Sequence, residues 1–293
     1  MKQEIEISSY GNLLVYKKGH TIEFIHSTIK KRKLRGLRIF TDLKEDKLAD
    51  LNFLKECGFL EVLSITSGDD HDLSFLSALI GLKELSIITQ GKNEIDLSNQ
   101  VNLETLAIQW WKGKVLGLEK CQNLTSLCLI DFKEKDFLPI SQLTKLKELT
   151  VKTASIKNLN GINNFLFLEN LSLGYCRYLE DIAHLSGLKN LISLEIDHCA
   201  KIRDYTSIGS LFKLENLVLR DCKGINSIKF IQGLQSLNKL SLSGNTDVLD
   251  GDLIPAVNVK QVFHKHREHY NVKIENKEYA DLIKSNLEKI RGF

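Results

Sequence analysis

The chain has 293 residues, of which 43% are hydrophobic, with eighteen glycines and only two prolines. This composition supports a folded core and excludes a long disordered segment or linker. Lys and Arg exceed Asp and Glu by only three, 40 against 37. The net charge therefore creates no overall field that would select nucleic acid or an anionic membrane as the main partner.

The first residues do not have the character of an export signal. Residues 1–10 alternate polar and apolar side chains, whereas a secretory signal needs a continuous apolar run. No later segment approaches the roughly 18 consecutive apolar residues that span a bilayer as a helix. We therefore expect a cytoplasmic protein that does not associate with a membrane.

Residues 1–33 precede the regular part of the chain and predict an N-terminal β cap. Three apolar pairs alternate with polar neighbours and favour a short antiparallel meander: Ile5 with Ile7, Leu13 with Val15, and Ile22 with Phe24. The basic run at 30–33 closes this segment. It predicts a solvated edge, with contact to phosphate or to an acidic partner as the alternative.

From residue 34 onward, leucines recur at a regular spacing. The clearest copies begin at Leu168, Leu191, Leu214 and Leu237, and each has a second leucine three residues later and Leu or Ile five residues later. The second leucines advance by 21 to 23 residues from one copy to the next: Leu63, Leu85, Leu106, Leu127, Leu149, Leu171, Leu194, Leu217 and Leu240. A constant period in the twenties indicates a stacked repeat array.

The L-x-x-L-x-L-x-x-C/N spelling of these copies resembles the leucine-rich repeat, in the short internalin-like bacterial subclass. The resemblance implies an α/β fold: a curved right-handed solenoid with a concave parallel β-sheet and a convex face of 3₁₀ or short helical turns, capped at both ends. We expect the solenoid to cover residues 34–263 as one continuous body of about ten to eleven coils. Three-residue spacing in the return segments, as in Ile182, Leu185 and Leu188, favours those turns.

Three of the six cysteines occupy the same place in successive copies, at the bend that follows the strand. Cys176, Cys199 and Cys222 are 23 residues apart. In the family that the pattern resembles, Cys or Asn at this place satisfies backbone groups from inside the coil. We therefore predict a column of buried, reduced thiols rather than a disulfide framework.

The regular pattern ends near residue 263, and residues 264–293 predict a C-terminal helical cap. Apolar residues there follow one helical stripe, with Lys and Glu elsewhere: Tyr279, Leu282, Ile283, Leu287 and Ile290. Such a helix would cover the core of the last coil.

The residues between and after the core leucines of a strand face outward, and equivalent positions on strands about 4.8 Å apart form columns. On the middle copies these columns predict a partner-binding surface with apolar anchors: Ile88, Gln109, Trp110, Ile130, Asp131 and Lys152. Counting from the cysteine position places Trp110 outward and Trp111 in the bend. A slip of one residue would reverse the two.

The later copies predict a second part of the same surface, a mixed charged and aromatic cluster: Tyr175, Glu195, Asp197, His198, Arg220 and Asp221. Its carboxylate excess suits a basic protein surface, and its alternative is a set of mutually compensating surface charges. No nucleophile stands at a matching spacing and an open sheet does not exclude water, so we predict that the protein is not an enzyme.

Two other polar clusters are predicted to be structural. The run 69–72, Asp-Asp-His-Asp, predicts a solvated loop, and the histidines of 264–269 lack the spacing of a zinc protease helix. No glycine motif for phosphate occurs. We expect no metal site and no small-molecule cofactor.

These patterns favour a non-catalytic binding module, monomeric when unbound, that holds a protein ligand on its concave sheet. Among specific roles, the style of the chain is similar to immunity or inhibitor proteins that neutralise a cognate bacterial toxin, so a toxin domain is one candidate ligand. An effector or adhesin that binds a host protein is the first alternative. Nucleic-acid binding through the basic termini is the second, and a steep salt dependence would distinguish it.

Overall fold

The computed structural model describes residues 5–8, 10–16, 20–41, 51–89 and 93–274. These residues form two compact units. Unit 1 contains the described residues of 1–134 and 139–152, and unit 2 contains 135–138 and the described residues from 153 onward.

The N-terminal segment of unit 1 begins with two antiparallel strands, β1 (Ile5–Ser8) and β2 (Gly11–Val15). A helix, α1 (Ile22–Arg32), follows, and then strand β3 (Gly36–Phe40), which is parallel to β2. The predicted pair of strands is confirmed. The prediction of a third strand at residues 22–24 is wrong, because those residues open the helix.

Local interactions explain why α1 is a helix. The Thr21 hydroxyl accepts a hydrogen bond from the Phe24 amide at 3.2 Å and caps the first turn. Ile25 and Ile29, one turn apart, are buried, and Lys33 ends the helix in the left-handed conformation. The basic run at 30–33 is therefore the last turn of α1, where positively charged side chains interact favourably with the negative end of the helix dipole.

The remaining strands of unit 1 are short and follow the repeat. They are β4 (Val62–Ser67), β5 (Glu84–Thr89), β6 (Ile95–Asp96), β7 (Thr105–Gln109), β8 (Val115–Leu116), β9 (Ser126–Ile130) and β10 (Glu148–Lys152). The sheet of this unit has the order β1-β2-β3-β4-β5-β7-β9-β10 and is parallel from β2 onward. Its register aligns the second leucines of neighbouring copies, while β6 pairs separately with β8.

Unit 2 repeats the same architecture. Its strands are β11 (Asn170–Gly174), β12 (Ser193–Asp197), β13 (Asn216–Arg220), β14 (Gly224–Ile225), β15 (Lys239–Ser243), β16 (Asp247–Val248) and β17 (Gln261–His264). The parallel order is β11-β12-β13-β15-β17, and β14 pairs with β16. Leu171, Leu194, Leu217 and Leu240 are in register and buried.

The return segments contain 3₁₀ turns, as the three-residue spacing predicts. They are Leu51–Glu56, Ser74–Ala78, Leu118–Lys120, Leu138–Ile140, Ile162–Asn164, Ala183–Gly187, Thr206–Ser210, Lys229–Gly233 and Ile254–Ala256. Polar side chains fix where several of them begin. Asp181 and Asp204, for example, each accept a hydrogen bond at 2.8 Å from the amide two residues later.

The bend after each strand differs in length between copies. In the first copies the buried bend residue comes two positions after the third core residue, as Thr41, Ser67, Thr89 and Trp110 show. From Phe132 to Cys222 it comes three positions after, and in the copy of Leu242 the buried residue is Thr246, four positions after. The additional residue takes a positive φ of 51° to 67° in six copies: Asp131, Thr153, Tyr175, His198, Asp221 and Gly244. We call the five of these residues that lie in unit 2, Thr153, Tyr175, His198, Asp221 and Gly244, the left-handed column.

The shorter bend corrects the prediction for the tryptophans. Trp110 is only 6% exposed, its ring meets that of Phe132 edge-on at 5.0 Å, and its indole nitrogen donates to Glu134 at 3.3 Å. Trp111 is partly exposed. The prediction that Trp110 faces outward is wrong, because the cysteine spacing does not hold in this copy, whose bend is one residue shorter.

The cysteine column of unit 2 is confirmed. Cys176, Cys199 and Cys222 are buried and free, and their thiols donate to strand carbonyls, as from Cys222 to Ile196 at 3.3 Å. A hydrogen bond to Cys176 and burial raise the pKa of Cys199, and burial raises the pKa of Cys222 to about 12. These thiols are inert core residues at neutral pH.

The end of the repeat is visible in β17, where His264 takes the third core position beside Leu242 but remains partly exposed. The predicted cap helix and its apolar stripe from Tyr279 onward lie outside the described residues. Within the described part of the chain, no helix has the length and apolar character needed to cross a membrane.

Candidate functional site

The outward face of the unit 2 sheet carries a dense cluster of polar side chains, which we call the charged cluster: Tyr175, Glu195, Asp197, His198, Arg220 and Asp221. Glu195, Asp197 and Arg220 are outward residues of β12 and β13, while Tyr175, His198 and Asp221 belong to the left-handed column. The parallel register pairs Asp197 with Arg220. The structure thus brings together the six residues that the sequence predicts for the later copies.

Hydrogen bonds and ion pairs connect the members of the charged cluster. His198 Nδ1 lies 2.7 Å from Asp197 Oδ1, and His198 Nε2 lies 3.6 Å from Asp221 Oδ2. The Arg220 guanidinium donates to Glu195 at 3.3 Å and lies 3.9 Å from Asp197. Three carboxylates face one guanidinium and one imidazole, so the cluster as a whole favours cationic groups on a ligand.

Aromatic stacking extends the cluster. The Tyr175 and His198 rings are nearly parallel at a centroid distance of 4.3 Å, and Tyr175 is 46% exposed. A half-exposed tyrosine held by a neighbouring ring loses little conformational entropy on binding. Tyrosine is also among the residues that contribute most to protein interfaces.

The backbone conformation of the left-handed column does not require the side chains of Tyr175, His198 and Asp221, because glycine adopts it more easily. A residue with a Cβ costs roughly 1–2 kcal/mol more than glycine in this conformation, and the next copy does have glycine there, Gly244 at φ 67°. Tyr175, His198 and Asp221 are therefore strained where glycine would fit. Thr153 takes the same conformation outside the charged cluster, so the conformation belongs to the bend of these copies and does not by itself mark a site.

The outward residues of the middle copies lie in unit 1, where they follow one another from strand to strand. Ile88, Gln109, Ile130 and Lys152 are the last outward residues of their strands, and the register pairs Gln109 with Ile130 and Ile130 with Lys152. Gln109 donates to Asp131 at 3.0 Å. These outward residues lack the large aromatic anchor that the sequence predicts, because Trp110 is buried.

The two remaining polar clusters have structural roles. His71 is buried and lies 2.9 Å from the Ser67 hydroxyl, and Asp72 caps the turn at Ser74. In the 264–269 segment, Arg267 and His269 contact Asp247, to which the Tyr270 hydroxyl also donates at 2.9 Å. No sequence pattern indicated this role of Asp247, because its partners lie twenty or more residues away.

Comparison with known proteins bears on the fold. No family model matches the sequence, and a search of curated proteins finds no match either. Among solved structures, the chain is similar to the functional domain of InlJ from Listeria monocytogenes, with a TM-score of 0.55 and 17% identity over 78% of this chain and 49% of that one. It is also similar to the TLR13 chain of a complex with ssRNA13, with a TM-score of 0.50 and 16% identity over 89% of this chain and 48% of that one.

This chain has the leucine-rich repeat fold. A third similar structure is internalin InlF of Listeria monocytogenes, at 21% identity and a TM-score of 0.45, over 79% of this chain and 81% of that one. The InlJ domain is described as including a cysteine ladder, and the leucine-rich repeats of unit 2 contain such a column at Cys176, Cys199 and Cys222. The chain spans about half the length of the InlJ and TLR13 chains.

Proposed function

We propose that this leucine-rich repeat protein binds a protein ligand on the outward sheet face of unit 2, through the charged cluster. Stacked strands hold their outward side chains rigidly, so little entropy is lost on association. Repeat proteins commonly use such extended sheet surfaces for binding. The observation that carries the proposal is the charged cluster itself, in which the exposed Tyr175 stacks on His198 beside three partly exposed carboxylates.

The charges of the cluster indicate the kind of ligand surface. Glu195, Asp197 and Asp221 outnumber the one arginine, and all three carboxylates remain partly exposed. A basic patch on the ligand would pair with them, and Tyr175 would supply the apolar contact. On unit 1, the residues that remain predicted contacts for a protein ligand are Ile88, Gln109, Asp131, Ile130 and Lys152.

The test is to capture binding partners from cell extracts of the source organism, with the wild-type protein and three variants as bait. Tyr175→Gly and the double variant Asp197→Ala/Asp221→Ala should lose the partner, with a loss of about 2 kcal/mol or more for a central anchor. Lys229→Ala, in the return segment Lys229–Gly233, is the matched control and should retain it. If the wild type and all variants capture one partner equally, the proposed surface is wrong.

The finer role that we propose is that of a cytoplasmic immunity or inhibitor protein whose ligand is a cognate toxin domain. A rigid, preformed, acidic surface suits tight neutralisation of a basic catalytic domain. The direct experiment is to express a toxin encoded beside this gene with and without the protein. Survival with the wild type and death with Asp197→Ala/Asp221→Ala would support the role. Equal survival with both would contradict it.

A further inference from the structure

We propose that unit 2 carries a binding site for a divalent transition-metal ion such as Zn²⁺, with His198 and Asp221 as ligands and Asp197 as a positioning carboxylate. Within the described residues, these three side chains form the group whose potential ligand atoms all lie within 4.8 Å of one another. Imidazole together with carboxylate is a donor set that zinc accepts. The sequence predicts no metal site, because its spacing matches no metal motif.

The Asp197–His198 pair has the arrangement of a metal-binding histidine and its supporting carboxylate. Asp197 Oδ1 lies 2.7 Å from Nδ1, and a carboxylate can only accept, so Nδ1 carries the proton and donates it. When the imidazole is neutral, this tautomer leaves Nε2 with a free lone pair. A histidine that binds metal through one nitrogen usually donates the other to a carboxylate in this way, which fixes the ring and raises its basicity.

Nε2 faces the oxygen of the second proposed ligand, Asp221. Nε2 and Asp221 Oδ2 are 3.6 Å apart, which is longer than the about 2.7–3.2 Å of an ordinary hydrogen bond. Two ligand atoms around a tetrahedral ion with bonds of about 2.0–2.1 Å are roughly 3.3 Å apart. A small side-chain adjustment would therefore let both atoms bind one ion.

Both ligands are held in place before any ion binds. The Tyr175 ring stacks on the imidazole at an interplanar angle of 15°. The backbone amide of Asn245 donates to Asp221 Oδ1 at 3.0 Å, which leaves Oδ2 to bind a metal ion. At Gly244 a Cβ would come within 2.3 Å of that same Oδ1. Glycine therefore provides the space in which the Asp221 carboxylate lies.

One neighbouring charge opposes the ion. Arg220 Nη1 lies 3.9 Å from Asp197 Oδ2, and a fixed cation near the site weakens metal binding. This gives the proposal a prediction of opposite sign, since removal of Arg220 should strengthen binding. Two protein ligands are one fewer than the three of an open catalytic zinc site, so two tetrahedral positions remain for water or for a side chain of a bound partner.

The experiment is calorimetric titration of the full chain with ZnCl₂, in chelator-free buffer and without any partner. His198→Ala and Asp221→Asn should each weaken zinc binding at least about tenfold, since each removes one of two ligands. Asp197→Asn should weaken it about 10–100-fold, as loss of a supporting carboxylate does. Arg220→Ala should bind zinc more tightly, and Lys229→Ala should match the wild type.

Thermal unfolding of each metal-free variant shows whether the fold is kept, so a loss of binding is not a loss of structure. Zinc bound by any other histidine would be the same in wild type and variants, so only the difference between the isotherms counts. The proposal would be overturned if His198→Ala and Asp221→Asn both bound zinc as the wild type does, or if Arg220→Ala bound zinc more weakly. Because no partner is present, such a failure leaves the proposed protein binding standing.

Discussion

Replacement of Trp110 distinguishes a core role of this residue from a role in binding. The indole is 6% exposed, meets Phe132 edge-on and donates to Glu134. Trp110→Ala removes these contacts and leaves a cavity under the bend. The Glu134 carboxylate keeps its ion pair with Lys112 at 3.2 Å, so it is not left without a partner.

The expected loss in the free energy of unfolding is about 3–5 kcal/mol, the range for truncation of a buried large aromatic residue. The edge-on contact with Phe132 accounts for about 0.5–1.5 kcal/mol of it beyond burial. A loss of this size is a large part of the stability of an ordinary domain. The replacement should therefore act on folding, and only through folding on any binding.

The measurement is guanidinium denaturation of the wild type, Trp110→Ala and Trp111→Ala, followed by circular dichroism. Trp111 is partly exposed and one residue away, so its variant is the matched control and should lose much less. The bend assignment in this copy is wrong if the free energy of unfolding of Trp110→Ala lies within about 1 kcal/mol of the wild-type value while Trp111→Ala is strongly destabilised.

Three further replacements test other parts of the fold. Thr153→Gly should raise the free energy of unfolding by about 1 kcal/mol, because a β-branched residue at φ 58° is strained; Thr153→Ala keeps the Cβ, and equal stability of the two variants would contradict this reasoning. Burial raises the pKa of the Cys222 thiol to about 12, so the folded state keeps a proton that the unfolded thiol loses above about pH 8.5. The protonated thiol therefore contributes its full share to the free energy of unfolding below about pH 8.5. Between that pH and about pH 12 the free energy of unfolding falls by about 1.4 kcal/mol for each pH unit. Denaturation between about pH 8 and pH 10.5 should show a shallower decline for Cys222→Ala, and an unchanged slope would mean that this buried thiol does not cause the decline. Thr21→Ala should lower stability by about 1 kcal/mol through loss of the α1 cap, whereas Thr21→Ser should not; melting curves that fail to separate the two would show that the cap contributes nothing.

The architecture was predictable because it depends on spacing along the chain. A leucine that recurs every 21 to 23 residues must return to the same place in each copy if it is to be buried, and this fixes the strands, the return segments and their parallel pairing. The cysteine column followed from the same spacing. The charged cluster was also predictable as a set, since outward residues of successive copies become neighbours.

The geometry of the site was not predictable to the same degree. The alternation of a strand places Asp197 and Arg220 outward, but it does not say that His198 and Asp221 adopt the left-handed conformation. That conformation turns the imidazole between two carboxylates. A one-residue difference in bend length also decided the position of Trp110, and a difference this small has no separate signal in the periodicity.

The sequence by itself determined the repeat, the residues that face the core and the sign of the surface charge, because these properties depend on residue type and period alone. Only the tertiary structure decided which side chain fills each bend, that α1 replaces a third strand, and how the residues of the charged cluster contact one another. These outcomes depend on packing and on hydrogen bonds between residues some twenty or more positions apart, whose energies no local pattern specifies.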